Sequence, residues 1–287
     1  MLGMAVKGFQ DRIQIAYSKS SSKDALQTYI HCAKTCIEEG LPAILELVGG
    51  RPRIPDLPSW CPHLGTQKAH GQSFRTWHRA GISDDVMTND LFHARTTTTD
   101  NNLDIAGFRV DTVSECVESE HPGPFSRVMQ QPVTWARKFV TWEAQCLALA
   151  QRTRLEVVPV EHVLTLVVTR RRLPNIKEKD LLQAHHDNLL AVKFLAQERD
   201  RIRPPQERTE LCWDACQENG NLCTNRRYFS TENGRLGVGP LDIKKGDTVC
   251  VLYGTRPVYV LRESEGTGEW LLIGGAYVHE LMDLTGL

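Results

Sequence analysis

The sequence predicts an α+β protein in which amphipathic helices and a few strands precede a small closed β-barrel. Three observations carry that prediction. Apolar residues recur at helical spacing in several stretches upstream of Arg199, whereas from Arg226 onward short apolar runs alternate with glycine-rich turns. Within the upstream region, four prolines from Arg51 to Pro62 forbid regular structure and set the first helices apart.

At 287 residues the chain is long enough for about two domains. Its 41% hydrophobic and 24% charged residues are ordinary for a globular protein and exclude wholesale disorder. Lys and Arg number 34 against 35 Asp and Glu, so no net field draws the chain to nucleic acid or to an anionic membrane. The most apolar stretch, Leu155 to Thr169, is interrupted by Glu156, Pro159, Glu161 and His162 and falls short of the roughly 20 residues that cross a bilayer. The first residues lack a signal-like apolar run, and nine cysteines fit free thiols better than a disulfide framework. The expected location is the cytoplasm.

Taken in order, Ser21-x-x-Asp24 forms a capping box, and Leu26, Ile30, Ala33 and Ile37 continue a helix until Gly40 offers a left-handed stop. Pro42 opens a second, short helix through Leu47, ended by Gly49-Gly50, and the proline-rich connector follows. Residues 65 to 102 are polar, and Leu103 to Val117 alternates as strands around Gly107. Pro132 precedes a helix that places Ala136, Val140, Leu147 and Ala150 near one face. Asn175-x-x-Glu178 caps another, carrying Leu181, Leu189, Val192 and Ala196. The Pro204-Pro205 pair marks a boundary near 204–222.

The closing region reads as five strands: Tyr228-Phe229, Leu236–Val238, Thr248–Tyr253, Pro257–Leu261 and Trp270–Ile273. Asn233-Gly234 marks the first hairpin, and the whole favours a barrel of the SH3-like kind. The expected division is a helical segment with connector over 1–64, a mixed, mainly helical region over 65–222, and the barrel over 223–287.

Signatures of chemistry are sparse. Gly234-x-x-Gly237-x-Gly239 lacks a following helix N-terminus to receive a phosphate and reads as hairpin geometry. Cys212, Cys216 and Cys223 are the best metal candidates, but no fourth ligand lies near them and their spacing fits no standard zinc site. Cys32 and Cys36 read as small core residues on a helix. His185 and His186 are adjacent, so their rings point about 100° apart on a helix, and they read as a solvated face. Arg170-Arg-Arg172, with Arg152 and Arg154, reads as ordinary surface charge. No catalytic residue, cofactor or metal site is expected. The competing readings are a metal-assisted hydrolase using those cysteines or the histidine pair, and a small-barrel nucleic-acid binder using the arginines.

Two sets of motifs far apart in the chain carry a resemblance. One is Ile54-Pro-Asp-Leu-Pro-Ser-Trp-Cys-Pro62, holding Leu57, Pro58, Ser59 and Trp60. The other is Arg227-Tyr-Phe-Ser-Thr-Glu-Asn-Gly-Arg-Leu-Gly-Val-Gly-Pro240, then Lys245-Gly-Asp-Thr-Val-Cys-Val-Leu-Tyr-Gly254 and Gly274-Gly-Ala-Tyr-Val-His-Glu-Leu-Met-Asp283. Together they resemble the C-terminal half of fungal heterokaryon incompatibility (HET) domain proteins. Leu2-Gly-Met4 is similar to the end of the HET domain itself, and Tyr17 to Leu41 to the helix after it. The pattern departs at Cys61, His63 and Leu64, where Val, Asp and Trp are usual.

The resemblance implies a role in fungal non-self recognition coupled to programmed cell death. The family's death signal is attributed to the HET domain, which is expected to be largely missing here. The chain is therefore expected to be non-catalytic, with a protein or its own HET domain as partner. Phe229, Gly234, Gly237, Gly239, Pro240, Gly246, Asp247, Gly274, Tyr277, Val278, His279, Met282 and Asp283 are expected to be structural marks of the barrel, since glycine permits the turns and aromatics fill a small interior.

Overall fold

The computed structural model describes residues 22–49, 54–63, 95–96, 101–119, 123, 131–153, 162–163, 165–166, 178–197, 225–255 and 257–281. Helix α1 spans Ser22–Glu38 and ends as its sequence requires. Gly40 takes φ +75°, and the N–H groups of Gly40 and Leu41 donate to the carbonyls of Ile37 and Cys36 at 3.0 and 2.8 Å, which satisfies the last turn. A short 3₁₀ helix, Pro42–Leu47, follows with proline in its first turn. The connector at 54–63 has turns only. Strands β1 (Arg95–Thr96) and β2 (Leu103–Asp104) form a small antiparallel pair.

Six strands form a closed barrel: β3 (Gly107–Cys116), β4 (Arg226–Thr231), β5 (Leu236–Pro240), β6 (Thr248–Leu252), β7 (Val258–Glu263) and β8 (Trp270–Val278). The order around it is β3-β4-β5-β8-β7-β6, with every neighbouring pair antiparallel. The two long strands bend around the corners. β3 pairs with β6 along its first half and β4 along its second, and β8 pairs with β7 and then β5. Register shifts at Arg109/Asp111, Val113/Glu115 and Val260/Leu261 supply the bends.

The barrel thus reaches beyond the five strands expected over 223–287. Those five would leave β4 and β6 with bare edges, and β3 covers both. The alternation around Gly107 in the sequence was a barrel strand.

Alternation of period two divides the barrel residues among three cores. Val113, Phe229, Val249, Val251, Val258, Val260 and Ile273 fill the interior. Cys250, Leu252, Tyr259 and Leu272 point outward, against Ile30, Ala33 and Ile37 of α1, Leu45, and the connector's Trp60 and Cys61. On another face Tyr228, Leu236 and Val238 pack against helix α2 (Pro132–Thr153), which packs in turn on helix α3 (Glu178–Gln197). Layers on both faces explain why β4 to β7 read as short continuous apolar runs. Among the described residues no helix is long and apolar enough to cross a membrane.

Candidate functional site

The separated motifs meet on the barrel. Ser59 Oγ accepts a hydrogen bond from the backbone N–H of Leu272 on β8 at 3.0 Å, across 213 residues of chain. Beside it the buried Trp60 donates its indole N–H to the carbonyl of Asn101 at 2.7 Å. Leu57 packs into the same core, and the turn at 54–61 is closed by Leu57 and Cys61 N–H groups donating to Ile54 and Pro58 carbonyls. Gly274 on β8 has φ +141°, and a Cβ there would lie 2.8 Å from the Val48 carbonyl oxygen and 2.9 Å from Cγ of Pro240. Only glycine lets the segment after the 3₁₀ helix lie this close to the strand.

The remaining family residues are spent within the barrel. Gly234, at φ +77°, turns the β4–β5 hairpin, in which the Thr231 and Arg235 backbones pair at 2.9 Å. Asp247 is buried and clamps a second turn. Arg262 donates to both its carboxylate oxygens at 2.7 and 2.8 Å, the Lys244 N–H donates to it at 2.8 Å, and Gly246 supplies φ +88°. Val278 pairs with Gly237, Tyr277 is buried in the interior, and the Tyr277 hydroxyl lies 3.2 Å from Nδ1 of His279. Met282 and Asp283 lie outside the described residues.

A different group of side chains converges at the junction of helices and barrel. Glu143 of α2, His162 and His185 of α3 each bring one ligand atom into a cluster whose members all lie within 4.8 Å of one another. Glu143 Oε1 is 3.2 Å from Nε2 of His162 and 3.9 Å from Nε2 of His185. Nδ1 of His162 is 3.2 Å from the Tyr228 hydroxyl on β4. All are buried, and Nε2 of His185 makes no hydrogen bond.

Burial alone would push the Glu143 carboxyl up, but the two histidines outweigh it and hold it down to about 2. His162 is also shifted downward, chiefly by burial. At neutral pH a charged carboxylate therefore faces a neutral His162. A carboxylate only accepts, so His162 donates Nε2–H to Glu143 and accepts the Tyr228 O–H at Nδ1.

The sequence reading missed this cluster and put His185 on a solvated face. His185 is buried and only its neighbour His186 is exposed, because adjacent helix positions face different ways. The signal was present: Glu143 interrupts the apolar stripe of Phe139, Val140, Cys146 and Ala150, and His185 continues the stripe of Leu189, Val192 and Ala196. Cys212, Cys216, Cys223, Arg154 and Arg170 to Arg172 lie outside the described residues. Arg152 pairs with Glu115 at 2.5 Å on the surface. Cys32, Cys36, Cys61, Cys116, Cys146 and Cys250 form no disulfide.

Comparison with known proteins bears on the barrel. Residues 208–285 match the family model of the Het-6 beta-barrel domain, a range that leaves out the closing strand β3. Heterokaryon incompatibility protein 6, OR allele, of Neurospora crassa is 43% identical over 60 residues, which is 20% of this chain and 9% of that protein. The chain thus matches a small part of that relative's length. No solved structure matches the chain. The C-terminal region of this chain thus matches the Het-6 beta-barrel domain, and the resemblance of the chain to fungal heterokaryon incompatibility proteins is borne out there.

Proposed function

We propose that this chain is a non-catalytic region of a fungal heterokaryon incompatibility protein and acts in non-self recognition in the cytoplasm. It does so by binding protein, either a partner or the HET domain of its own longer chain. The observation that carries the reading is the Het-6 barrel match over 208–285. The use of the motif residues supports it: Ser59, Trp60 and Gly274 seat the N-terminal segments on the barrel, and Phe229, Gly237 and Asp247 shape the barrel itself.

The start of β3 offers the binding surface. Phe108 is 47% exposed and leans on the Tyr253 ring at 6.0 Å, while its neighbour Arg109 lies 5.4 Å over the ring of Trp270, itself 37% exposed. Aromatics and arginine are the residue types that most often anchor protein interfaces.

The experiment is a fungal fusion assay in which the longer protein carries Phe108→Ala and Trp270→Ala together. Loss of the incompatibility response at unchanged protein level supports binding through this surface, and an unchanged response removes it. Separately, NAD⁺ turnover by the purified chain alone would overturn the non-catalytic reading.

A further inference from the structure

We propose that Glu143, His162 and His185 are the three protein ligands of a divalent zinc-type cation that clamps the two helices to the barrel. The donor set is two imidazoles and one carboxylate, which suits Zn²⁺ and its late first-row neighbours, whereas Ca²⁺ and Mg²⁺ demand oxygen. The spacing suits it as well. A tetrahedron with bonds of about 2.0–2.1 Å has edges of about 3.3–3.4 Å. The separations from Glu143 Oε1 to the two Nε2 atoms are 3.2 and 3.9 Å, so a small inward movement of His185 completes three corners. A water fills the fourth.

Two further observations point to an occupant. His185 is only 8% exposed, and its Nε2 is aimed at the cluster without a hydrogen bond, an arrangement that costs free energy unless something accepts the lone pair or proton. The Glu143 carboxylate is itself buried, a neutral His162 does not cancel its charge, and the remaining partner, Nε2 of His185, stands off at 3.9 Å. A cation answers both.

Tyr228 supplies the outer support. When Nε2 of His162 takes the metal, its proton resides on Nδ1 and is donated to the Tyr228 oxygen. A hydroxyl accepts as readily as it donates, so the 3.2 Å contact serves either state. Because Tyr228 is a barrel residue, the ion ties α2, the segment at 162 and α3 to β4.

The test uses the full chain, stripped with a chelator and titrated with Zn²⁺, and with Co²⁺ as a spectroscopic substitute. The expected result is one equivalent bound, a higher thermal midpoint, and a tetrahedral Co²⁺ spectrum without thiolate charge-transfer bands. His185→Gln, which removes no existing hydrogen bond, is expected to weaken Zn²⁺ binding by at least about 100-fold while circular dichroism stays native. Absence of binding by the wild-type chain overturns the proposal. So does binding that His185→Gln leaves intact, or a Co²⁺ spectrum with thiolate bands, which assigns the ion to cysteines. Should the variant not fold, the wild-type Co²⁺ spectrum decides by the same criterion.

Discussion

The ring of Phe229 occupies the space that a side chain on Gly237 would need. A Cβ at Gly237 would sit 2.5 Å from Cζ of the ring and 2.7 Å from the Tyr277 carbonyl oxygen. An aromatic laid over a strand glycine fills the barrel without widening it, and the two residues are direct cross-strand partners. Gly237→Ala should destabilise the barrel by about 1–3 kcal/mol through overpacking. Adding Phe229→Leu should return part of that loss, because the ring is one of the two obstructions. Urea unfolding of both variants checks this, and equal stabilities for Gly237→Ala and wild type would sink it.

Docking of the connector rests on few polar contacts. Ser59→Ala removes the hydrogen bond to Leu272 and should lower unfolding stability by about 1 kcal/mol. Trp60→Leu deletes both the indole hydrogen bond and much of the packing on Cys250, Leu252 and Tyr259, and should cost about 3–5 kcal/mol, in line with large core truncations. Thermal denaturation ranks the two. A milder effect for Trp60→Leu than for Ser59→Ala would contradict the placement of the connector.

Acid should weaken the β3–β4 corner. Burial pushes the Asp111 carboxyl up. Hydrogen bonds from the Thr112 N–H, Thr231, Arg235 and the Asn233 N–H outweigh burial and hold it below its ordinary value of 3.8. A carboxyl depressed by folding contributes stability above the unfolded value, and that contribution is lost as pH falls through the lower folded value. Wild type should therefore exceed Asp111→Asn in stability by a constant margin at neutral pH, and the margin should shrink below about pH 4. Urea titrations across pH 2–7 measure it, and a margin unchanged at pH 2 would falsify the assignment.

The thiols should react in a set order. A hydrogen bond from Cys36 lowers Cys32 to about 7 despite partial burial. Burial pushes Cys61 and Cys250 up to about 12. Maleimide labelling of the native chain near neutral pH, mapped by mass spectrometry, should find Cys32 modified while Cys61 and Cys250 react only after denaturation. Rapid labelling of Cys250 would mean that α1 does not cover β6.

Local signals in the sequence reached as far as local chemistry does. Gly40 ends α1 because a left-handed residue there satisfies its last carbonyls, and Asn233-Gly234 turns the first hairpin, since both effects act within a few residues. Residues Leu103 to Val117 were legible as strands, yet their place in the barrel depends on partners beyond residue 225, which no periodicity encodes. Burial of Glu143 and His185 follows from which helix faces which, and a polar residue inside an apolar stripe signals it only once the stripes are set against each other.

β3 and β4 lie side by side, with the Ser114 and Ser230 hydroxyls 2.9 Å apart although 116 residues separate them, and the Val117 N–H donating to the Tyr228 carbonyl. Topologically, the two helices are an oversized hairpin loop let out through one seam. Most other neighbouring strands are joined by short connections, so tension or rotation applied to the loop is delivered to this seam before any other ladder. Long loop closure also makes the two seams of β3, with β4 and with β6, the last joints to zip during folding. A signal arriving at the helices would therefore be read out as the opening or sealing of a single edge.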